Sequence, residues 1–429
     1  MALAASENKT KRRAWYVGVV AGMASYIDAA AIVSNGIALV LYQGVMGLSD
    51  LQFGILSAAL TFGIAVGALA GGRLGDRFGR RVIFIVTMAM IVLGSLLNVL
   101  APDFTVLLLG VVMVGLGAGA DLPVSLATIA ESSTDKNRGA IIGFSHMLWS
   151  IGVLATTILS SIVGGMGHLG GQALYAHVGI VAFVVLLLRF TIPESEEWLA
   201  ARQHKNQSGG TPLEAQAGSL KLLLSPPFAR PFIALIGFYA LVNLAANTGG
   251  QFGTKIAVEV VGLSVQQSSL IGLAFFPLAI VAGLWFMKIV GTPRRMAYFV
   301  SGAVLLVASN FIPVIFGFTV PVFIVSGLFS LFGMAFAFEA IMKVWTQESF
   351  PTLLRASAQG TILAIARFAA GTLAFVTPGL LGSLGPSGLY ILLGTVTAAG
   401  LVMGWWGFRA RPATRREAGE GCQSEPAKY

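Results

Sequence analysis

The chain has 429 residues, of which 56% are hydrophobic and only 10% are charged, with a formal net charge of +9. A soluble domain carries about 25% charged residues, so this composition excludes a soluble enzyme and indicates a protein that crosses a lipid bilayer. The single cysteine, Cys422, lies in a polar tail. A disulfide framework and a cysteine-based metal site are therefore excluded, and we expect no cofactor.

Apolar runs of about 20 residues or more, long enough to span a bilayer core, follow one another along the chain. The first run follows a short polar segment, residues 1–13, and is too long for a cleaved signal peptide. A polar linker at 193–228 separates the first six runs from six more, and a basic tail follows at 409–429. The predicted spans are 14–42, 51–70, 82–101, 105–130, 139–164, 172–192, 229–260, 264–287, 296–316, 319–347, 357–382 and 386–408.

These spans predict an all-α polytopic membrane protein of twelve transmembrane helices in two six-helix halves, residues 14–192 and 229–408. With both termini in the cytoplasm, nearly all lysines and arginines fall in cytoplasmic segments, as the positive-inside rule requires. The exceptions are Lys255, Lys343 and Arg367, which lie within predicted spans. We therefore predict a multi-pass protein of the inner (plasma) membrane, and the net positive charge does not indicate nucleic-acid binding.

Two charge patterns occur at the same place in both halves. An arginine pair follows the second span and again the eighth, and a glutamate with an arginine seven residues later brackets the end of the fourth span and again of the tenth. A parallel duplication of this kind is typical of transporters whose halves rock about a site near the midplane. The residues are Arg80-Arg81 and Arg294-Arg295, then Glu131 with Arg138 and Glu348 with Arg355.

The segment Gly71-Gly-Arg-Leu-Gly-Asp-Arg-Phe-Gly-Arg-Arg81 resembles the signature between helices two and three of the major facilitator superfamily. The resemblance implies a charge-assisted latch at the cytoplasmic face; a basic loop that only sets orientation is the alternative. The second copy, Lys288 to Arg295, lacks the aspartate, which puts its latch in doubt. The expected gate residues are Gly71, Asp76, Arg77, Gly79, Arg80, Arg81, Glu131, Arg138, Glu348 and Arg355.

Three further stretches resemble the sugar porters of that superfamily, in particular the bacterial sugar and myo-inositol porters. The resemblance covers nearly the whole chain and implies the major facilitator fold and alternating access. The chain departs from the sugar porters at Val111, where they carry arginine, and at Leu241 and Val242, where they carry glutamines. The three stretches are Pro193-Glu-Ser-Glu-Glu-Trp-Leu199, Glu348-Ser-Phe-Pro-x3-Arg355, and Gly115-x-Gly-x-Gly119 with Pro123.

Two acids within the spans are candidates for proton coupling. An ionisable residue in a span costs about 3 kcal/mol on insertion scales and is a functional candidate by default. Asp28 shares a helical face with Ser25 and Asn35, and burial favours the neutral form of its carboxyl. Sugar:proton symporters that resemble this chain have an aspartate at the same place. Asp121 is the second candidate. A structural acid paired permanently with Arg367 or a lysine is the alternative reading of Asp28.

Span seven carries a polar ridge at four-residue intervals, which should line a cavity because amide and ammonium groups facing lipid would be unsatisfied. Amides suit paired hydroxyl groups because each amide both donates and accepts, and Asn247 matches a sugar-binding asparagine of the sugar porters. Polar contacts between helices are the alternative. The ridge consists of Asn243, Asn247, Gln251, Lys255 and Glu259, the last expected at the outer surface.

The remaining candidates for substrate binding lie in spans one, five, ten and eleven: Asn35, His146, Trp149, Glu339, Lys343 and Arg367. His146 falls where sugar porters place a substrate-binding glutamine, although a packing histidine is the alternative. Glu339 and Lys343 are one turn apart, where an ion pair is natural; they are either a structural pair or substrate ligands. Arg367 has no acid within a turn, so its partner is another helix or the substrate.

These residues predict a secondary transporter and no enzyme, since no nucleophile–base constellation, metal-ligand spacing or nucleotide-binding loop is visible. The first hypothesis is proton-coupled import of a polyol or sugar such as myo-inositol. The alternative is uptake of a sugar acid or phosphate, with Lys255, Lys343 and Arg367 as counter-charges. A charged cavity argues against a drug exporter, and the short linker and tail argue against a sensor. The expected partners are a small polar substrate, protons and the lipid bilayer, and one chain with both halves is expected to function as a monomer.

Overall fold

The computed structural model describes residues 2–133, 138–195, 199, 220–350 and 352–409. The regular structure assigned to these residues is helical, and the chain order is α1 Ala2–Met46, α2 Asp50–Phe78, α3 Arg80–Leu100, α4 Phe104–Ser132, α5 Arg138–Val163, α6 His168–Arg189, α7 Leu220–Leu223, α8 Ala229–Glu259, α9 Val265–Ile289, α10 Arg295–Phe316, α11 Val320–Ala337, α12 Glu339–Ser349 and α13 Thr352–Phe408.

The described part of the chain contains twelve spans, as predicted. Ten of its helices are long and apolar enough to cross a membrane, and α5 adds a shorter apolar stretch, Met147–Val163. The last of the ten is two spans, because α13 turns back at Gly385, which has a φ of 68° and is followed by a proline. One span is formed by α11 and α12 together, interrupted at Phe338. The first half is therefore α1–α6, and the second half is α8–α13.

The second helix of each half begins with the same capping box. Ser49 Oγ accepts a hydrogen bond from Gln52 N at 3.2 Å, and Gln52 Oε1 accepts one from Ser49 N at 2.9 Å. Ser264 and Gln267 repeat this arrangement at the start of α9, at 3.1 and 2.9 Å. Each box satisfies two backbone donors that the first helical turn leaves open. The internal repeat thus extends to a pattern that the sequence analysis did not use.

Helices α2 and α4 pack closely through small residues. Gly63 of α2 approaches the backbone of Gly115, and Gly71 lies directly against the backbone of Ala120. Small residues at four-residue spacing allow such close approach in membrane helices. The first glycine of the superfamily-like signature is therefore required by helix packing, whatever the charged residues of that signature do.

We expect Gly71→Ala to destabilise the protein by about 1–3 kcal/mol, because the added β-carbon meets backbone atoms of Ala120 that cannot move aside. The neighbouring Gly72→Ala is the matched control. Apart from its chain neighbours and the backbone of its own helix, no atom of the described residues lies within 4 Å of its added β-carbon. Alanine in a helix interior stabilises by about 0.5–1 kcal/mol relative to glycine. Thermal unfolding of both purified variants in detergent measures the difference, and equal midpoints would contradict the close packing.

The two halves meet along α1 with α8, α2 with α13, and α5 with α9. Their side-chain contacts include a hydrogen bond of 2.6 Å between Ser160 Oγ and Ser269 Oγ. Gly54 lies against Phe375 and Pro378. These contacts lie near the end of the bundle where α1 and α8 finish and α2 and α9 begin, which we call the closed end. The opposite end, which carries Arg80 and Arg295, is the arginine end.

Candidate functional site

Asp28 lies between the two halves, halfway along α1, and its side chain is buried. Its Oδ2 accepts a hydrogen bond of 3.3 Å from Trp149 Nε1 of α5. The same oxygen lies 3.7 Å from Arg367 Nη2 of α13. Asp28 Oδ1 is buried, and none of the described side chains or backbone groups hydrogen-bonds it. Three residues that were predicted independently from three spans therefore meet at one point, and the ion pair among them joins the first half to the second.

A second ion pair lies at the break in the tenth span. Phe338 interrupts the helix with φ −133° and ψ −122°, so Glu339 becomes the first residue of α12. Glu339 Oε1 is 2.6 Å from Lys343 Nζ, and Tyr239 of α8 also hydrogen-bonds Glu339. On α8, Asn243 Nδ2 donates to the carbonyl of Ala366 at 3.4 Å. This amide thus lies beside the backbone that carries Arg367.

The space around these residues is open. Trp149 is 37% exposed, the side chain of Arg367 is 28% exposed, and that of Lys343 is 35% exposed. Because Trp149 and Arg367 both face Asp28 inside the bundle, their exposure reflects a space between the halves. The contacts between the halves that are named above lie on the closed-end side of these residues.

The polar ridge of α8 is divided between two places. Asn243 and Asn247 are partly exposed and lie on the part of α8 nearer the central space. Gln251 and Lys255 are buried at the closed end, where Gln251 Nε2 donates to Thr61 Oγ1 of α2 at 2.6 Å. The ridge was expected to line one cavity, with Glu259 at the outer surface. Its last two turns instead contact the first half, because α8 meets α1 and α2 there.

Asn35 faces the interior of the first half. Its Oδ1 accepts a hydrogen bond of 3.0 Å from the Tyr175 hydroxyl of α6. Both residues line a small cavity of about 10 Å³ together with Ser95 and Asn98 of α3. Although Asn35 is seven residues after Asp28 on α1, the packing of α3 and α6 separates it from the central space. Asn35 is therefore placed away from the other residues that were predicted to bind substrate.

Asp121 is paired with Arg189, the last residue of α6, which the sequence analysis missed. Both side chains are buried, and each carboxylate oxygen contacts the guanidinium. Thr87 Oγ1 also donates to Asp121 Oδ1 at 2.9 Å, and Ser125 Oγ donates to Oδ2 at 3.3 Å. Arg189 was counted among the cytoplasmic charges because it lies at the end of a predicted span. All the partners that the described residues give Asp121 belong to the first half, so these contacts do not join the two halves.

At the arginine end of the first half, Arg80 binds two acids. Its Nη2 lies 2.9 Å from Glu131 Oε1 of α4, and its backbone N–H donates to Glu194 Oε1 at 2.9 Å. Arg81 N–H also donates to Glu194, at 3.2 Å. The Glu194 carboxylate thus occupies the N-terminus of α3, where the helix dipole favours an anion. Gly79, with φ 100°, makes the turn between α2 and α3, while Arg77 is exposed.

The second half repeats the arginine–glutamate pair. Arg295 of α10 binds Glu348 of α12 through two hydrogen bonds, of 2.6 and 2.9 Å. The pair therefore forms although the second copy of the motif lacks the aspartate. Asp76, Arg138, His146 and Arg355 lie outside the residues whose side chains the structure describes. Their part in a latch or in substrate binding, and the latch itself, stay predictions.

Comparisons with known proteins agree with this architecture. A family model described as Major Facilitator Superfamily matches residues 15–374. The "Minor myo-inositol transporter IolF" of Bacillus subtilis (strain 168) is 30% identical over 418 residues, covering 95% of this chain and 93% of that protein. The "3-(3-hydroxy-phenyl)propionate transporter" of Escherichia coli (strain K12) is 31% identical over 224 residues, 51% of each chain.

A solved structure shows the same fold. The crystal structure of a D-xylose-proton symporter matches with a TM-score of 0.75 at 16% identity, covering 92% of this chain and 97% of the symporter. The predicted twelve-helix fold in two halves is thereby confirmed, and so is the resemblance to sugar and myo-inositol porters. The chain belongs to the major facilitator superfamily and is a multi-pass membrane protein of that family of transporters.

Proposed function

We propose that the protein imports a neutral polyol or sugar, such as myo-inositol, together with protons by alternating access. The observation that carries this proposal is the buried Asp28 carboxylate, which joins the two halves through Arg367. Protonation of Asp28 removes its charge and weakens this link. A proton on Asp28 therefore changes how strongly the halves are held together at the centre, which is what coupling requires.

The groups around Asp28 support a polyhydroxy substrate. Asn243 and Asn247 each present a donor and an acceptor, and Trp149 offers a partly exposed ring as well as its N–H group. Asp28, Arg367, Glu339 and Lys343 are together neutral when all four are ionised. A neutral cargo leaves this balance unchanged. The relative that covers nearly the whole chain is named as a myo-inositol transporter.

The alternative cargo is an anion such as a sugar acid or phosphate. It is favoured by the partial exposure of Arg367 and Lys343, since a guanidinium binds carboxylate or phosphate through two parallel hydrogen bonds. In addition, one relative over half of the chain is named as the transporter of an arylpropionate. In this alternative Lys255 does not contribute a counter-charge, because its ammonium is held at the closed end.

The topology completes the proposal. The arginine end faces the cytoplasm, because lysine and arginine concentrate on that side of bacterial membrane proteins. Residues 1–13, the linker 193–228 and the tail 409–429 lie on the same side. The halves 14–192 and 229–408 form the site together, so one chain functions as a monomer. The conformation described here is then the one open to the cytoplasm.

Uptake of labelled myo-inositol into proteoliposomes tests this function. An inward proton gradient of about one pH unit provides about tenfold accumulation for one proton per substrate, and a protonophore abolishes it. Unlabelled glucose and its acid, glucuronate, then compete for uptake in parallel. We expect accumulation and competition by the neutral sugar. If only glucuronate inhibits uptake, the cargo is an anion and not a neutral polyol. If uptake does not depend on the proton gradient, transport is not coupled to protons.

A further inference from the structure

The Lys255 ammonium is fully satisfied at the closed end. Its Nζ donates to Gln43 Oε1 at 2.8 Å, Asp50 Oδ1 at 2.9 Å and Glu259 Oε1 at 2.5 Å. It also lies 4.8 Å from the centre of the Phe53 ring. An ammonium has three N–H donors, and all three are used. The Lys255 side chain is 1% exposed, so no face of the ammonium is left for a substrate.

The partners of Lys255 come from both halves. Gln43 lies in the last turn of α1 and Asp50 begins α2, so both belong to the first half, whereas Glu259 is one turn after Lys255 on α8. Gln43 Nε2 also donates to Asp50 Oδ1 at 3.1 Å, which joins the two first-half acceptors. When the closed end opens, Gln43 and Asp50 move away with the first half. Glu259 moves with Lys255 because both are on one helix.

The two acids therefore have different functions. Asp50 supplies charge that holds the halves together, and Glu259 supplies charge that accompanies Lys255 after the halves separate. Without Glu259, opening would separate the Lys255 ammonium from Asp50 and leave it with no acid beside it. With Glu259, the open state keeps one ion pair.

We propose that Lys255 is a gate residue: its bonds to Gln43 and Asp50 hold the closed end shut, and opening leaves its ammonium on Glu259. This inference rests on alternating access as proposed above, and it reassigns Lys255 from substrate binding. It does not depend on which substrate is carried, because the central residues around Asp28 are separate from the Lys255 cluster.

A cysteine reporter tests the gate without transport. Cys422, the only cysteine, is first replaced by serine, and Ser160→Cys is then introduced as the gate reporter. Ser160 is buried where α5 meets α9 of the other half, away from Lys255, so a soluble maleimide reaches the gate reporter only when the closed end opens. We expect Lys255→Met to raise the labelling rate about tenfold. Asp50→Asn should raise it by at most about fivefold, because Asp50 is 62% exposed and its charge is screened.

Two controls separate gating from general loosening. Lys288→Met removes an exposed lysine at the arginine end of α9 and should leave labelling of the gate reporter unchanged. A second reporter, Ser95→Cys, is buried within the first half and should stay unlabelled in every variant. The proposal that Lys255 is a gate residue is wrong if neither Lys255→Met nor Asp50→Asn changes the labelling rate of the gate reporter. It is also wrong if both reporters are labelled equally fast, because the variants then loosen the whole protein. Transport of myo-inositol is measured separately. If the protein does not transport it but the Lys255 and Asp50 variants still speed labelling of the gate reporter alone, the gate is supported and only the proposed cargo is rejected.

Discussion

Replacement of Asp28 by asparagine is expected to abolish proton-driven accumulation and to leave substrate exchange intact. Asparagine has nearly the shape of a protonated aspartate, and it can neither release a proton nor form an ion pair with Arg367. The variant is therefore fixed in the state that we assign to the proton-loaded carrier. With an inward gradient of about one pH unit, the accumulation ratio should fall from about ten to about one. Counterflow of labelled substrate against unlabelled substrate should continue.

Asp103→Asn is the matched control for this substitution. Asp103 is an exposed acid that caps α4 by accepting from the backbone N–H groups of Thr105 and Val106. Asparagine caps a helix as well as aspartate does, so this second acid-to-amide change should alter neither accumulation nor stability. Asp28→Asn that kept full accumulation would exclude Asp28 as the coupling residue. Loss of counterflow as well would indicate that the Asp28 carboxylate is needed for substrate binding rather than for coupling.

The residues at the centre of the site could be selected from the sequence because an ionisable side chain within a membrane span is energetically unfavourable. Asp28 and Arg367 are ionisable groups in apolar spans, and the free-energy cost of placing them there makes them candidates for a function. Their contact with each other was left open, since nothing in one sequence states which faces of α1 and α13 meet. The structure supplies that contact. It also shows why Arg367, without an acid on its own helix, is not an isolated charge.

Positions along a helix were predicted less well than the helices themselves. Lys255 belongs to a polar ridge with regular four-residue spacing. Such spacing identifies one face of a helix, but it does not show which turns of that face are covered by neighbouring helices. The closed end covers its last two turns, where Gln43 of the last turn of α1 and Asp50, the first residue of α2, contact Lys255. The Arg295–Glu348 pair, in contrast, could be anticipated from the duplication, because Arg80 and Glu131 occupy the same places in the first half.

The pair of Asp121 and Arg189 leads to the second large expected effect, on stability. Arg189→Met should destabilise the protein by roughly 3–5 kcal/mol, because it leaves the Asp121 carboxylate buried without its counter-ion. Thr87 and Ser125 can still donate to the carboxylate, but two hydroxyl groups do not neutralise a charge. Asp121→Leu should be harmful for the same reason, since it leaves the Arg189 guanidinium buried and unpaired. Yield and thermal unfolding in detergent measure both effects.

The double variant Asp121→Leu with Arg189→Met identifies what the pair does. Replacement of both members of a buried ion pair by apolar residues is often neutral, whereas loss of one member is not. We therefore expect the double variant to regain most of the stability, with proton-driven accumulation retained. A stable double variant without accumulation would mean that Asp121 carries a proton in the cycle after all. Every contact that the described residues give Asp121 lies within the first half, whereas Asp28 contacts Arg367 of the second half. Of these two acids, Asp28 would then be the one that couples the halves if the double variant keeps its dependence on the proton gradient.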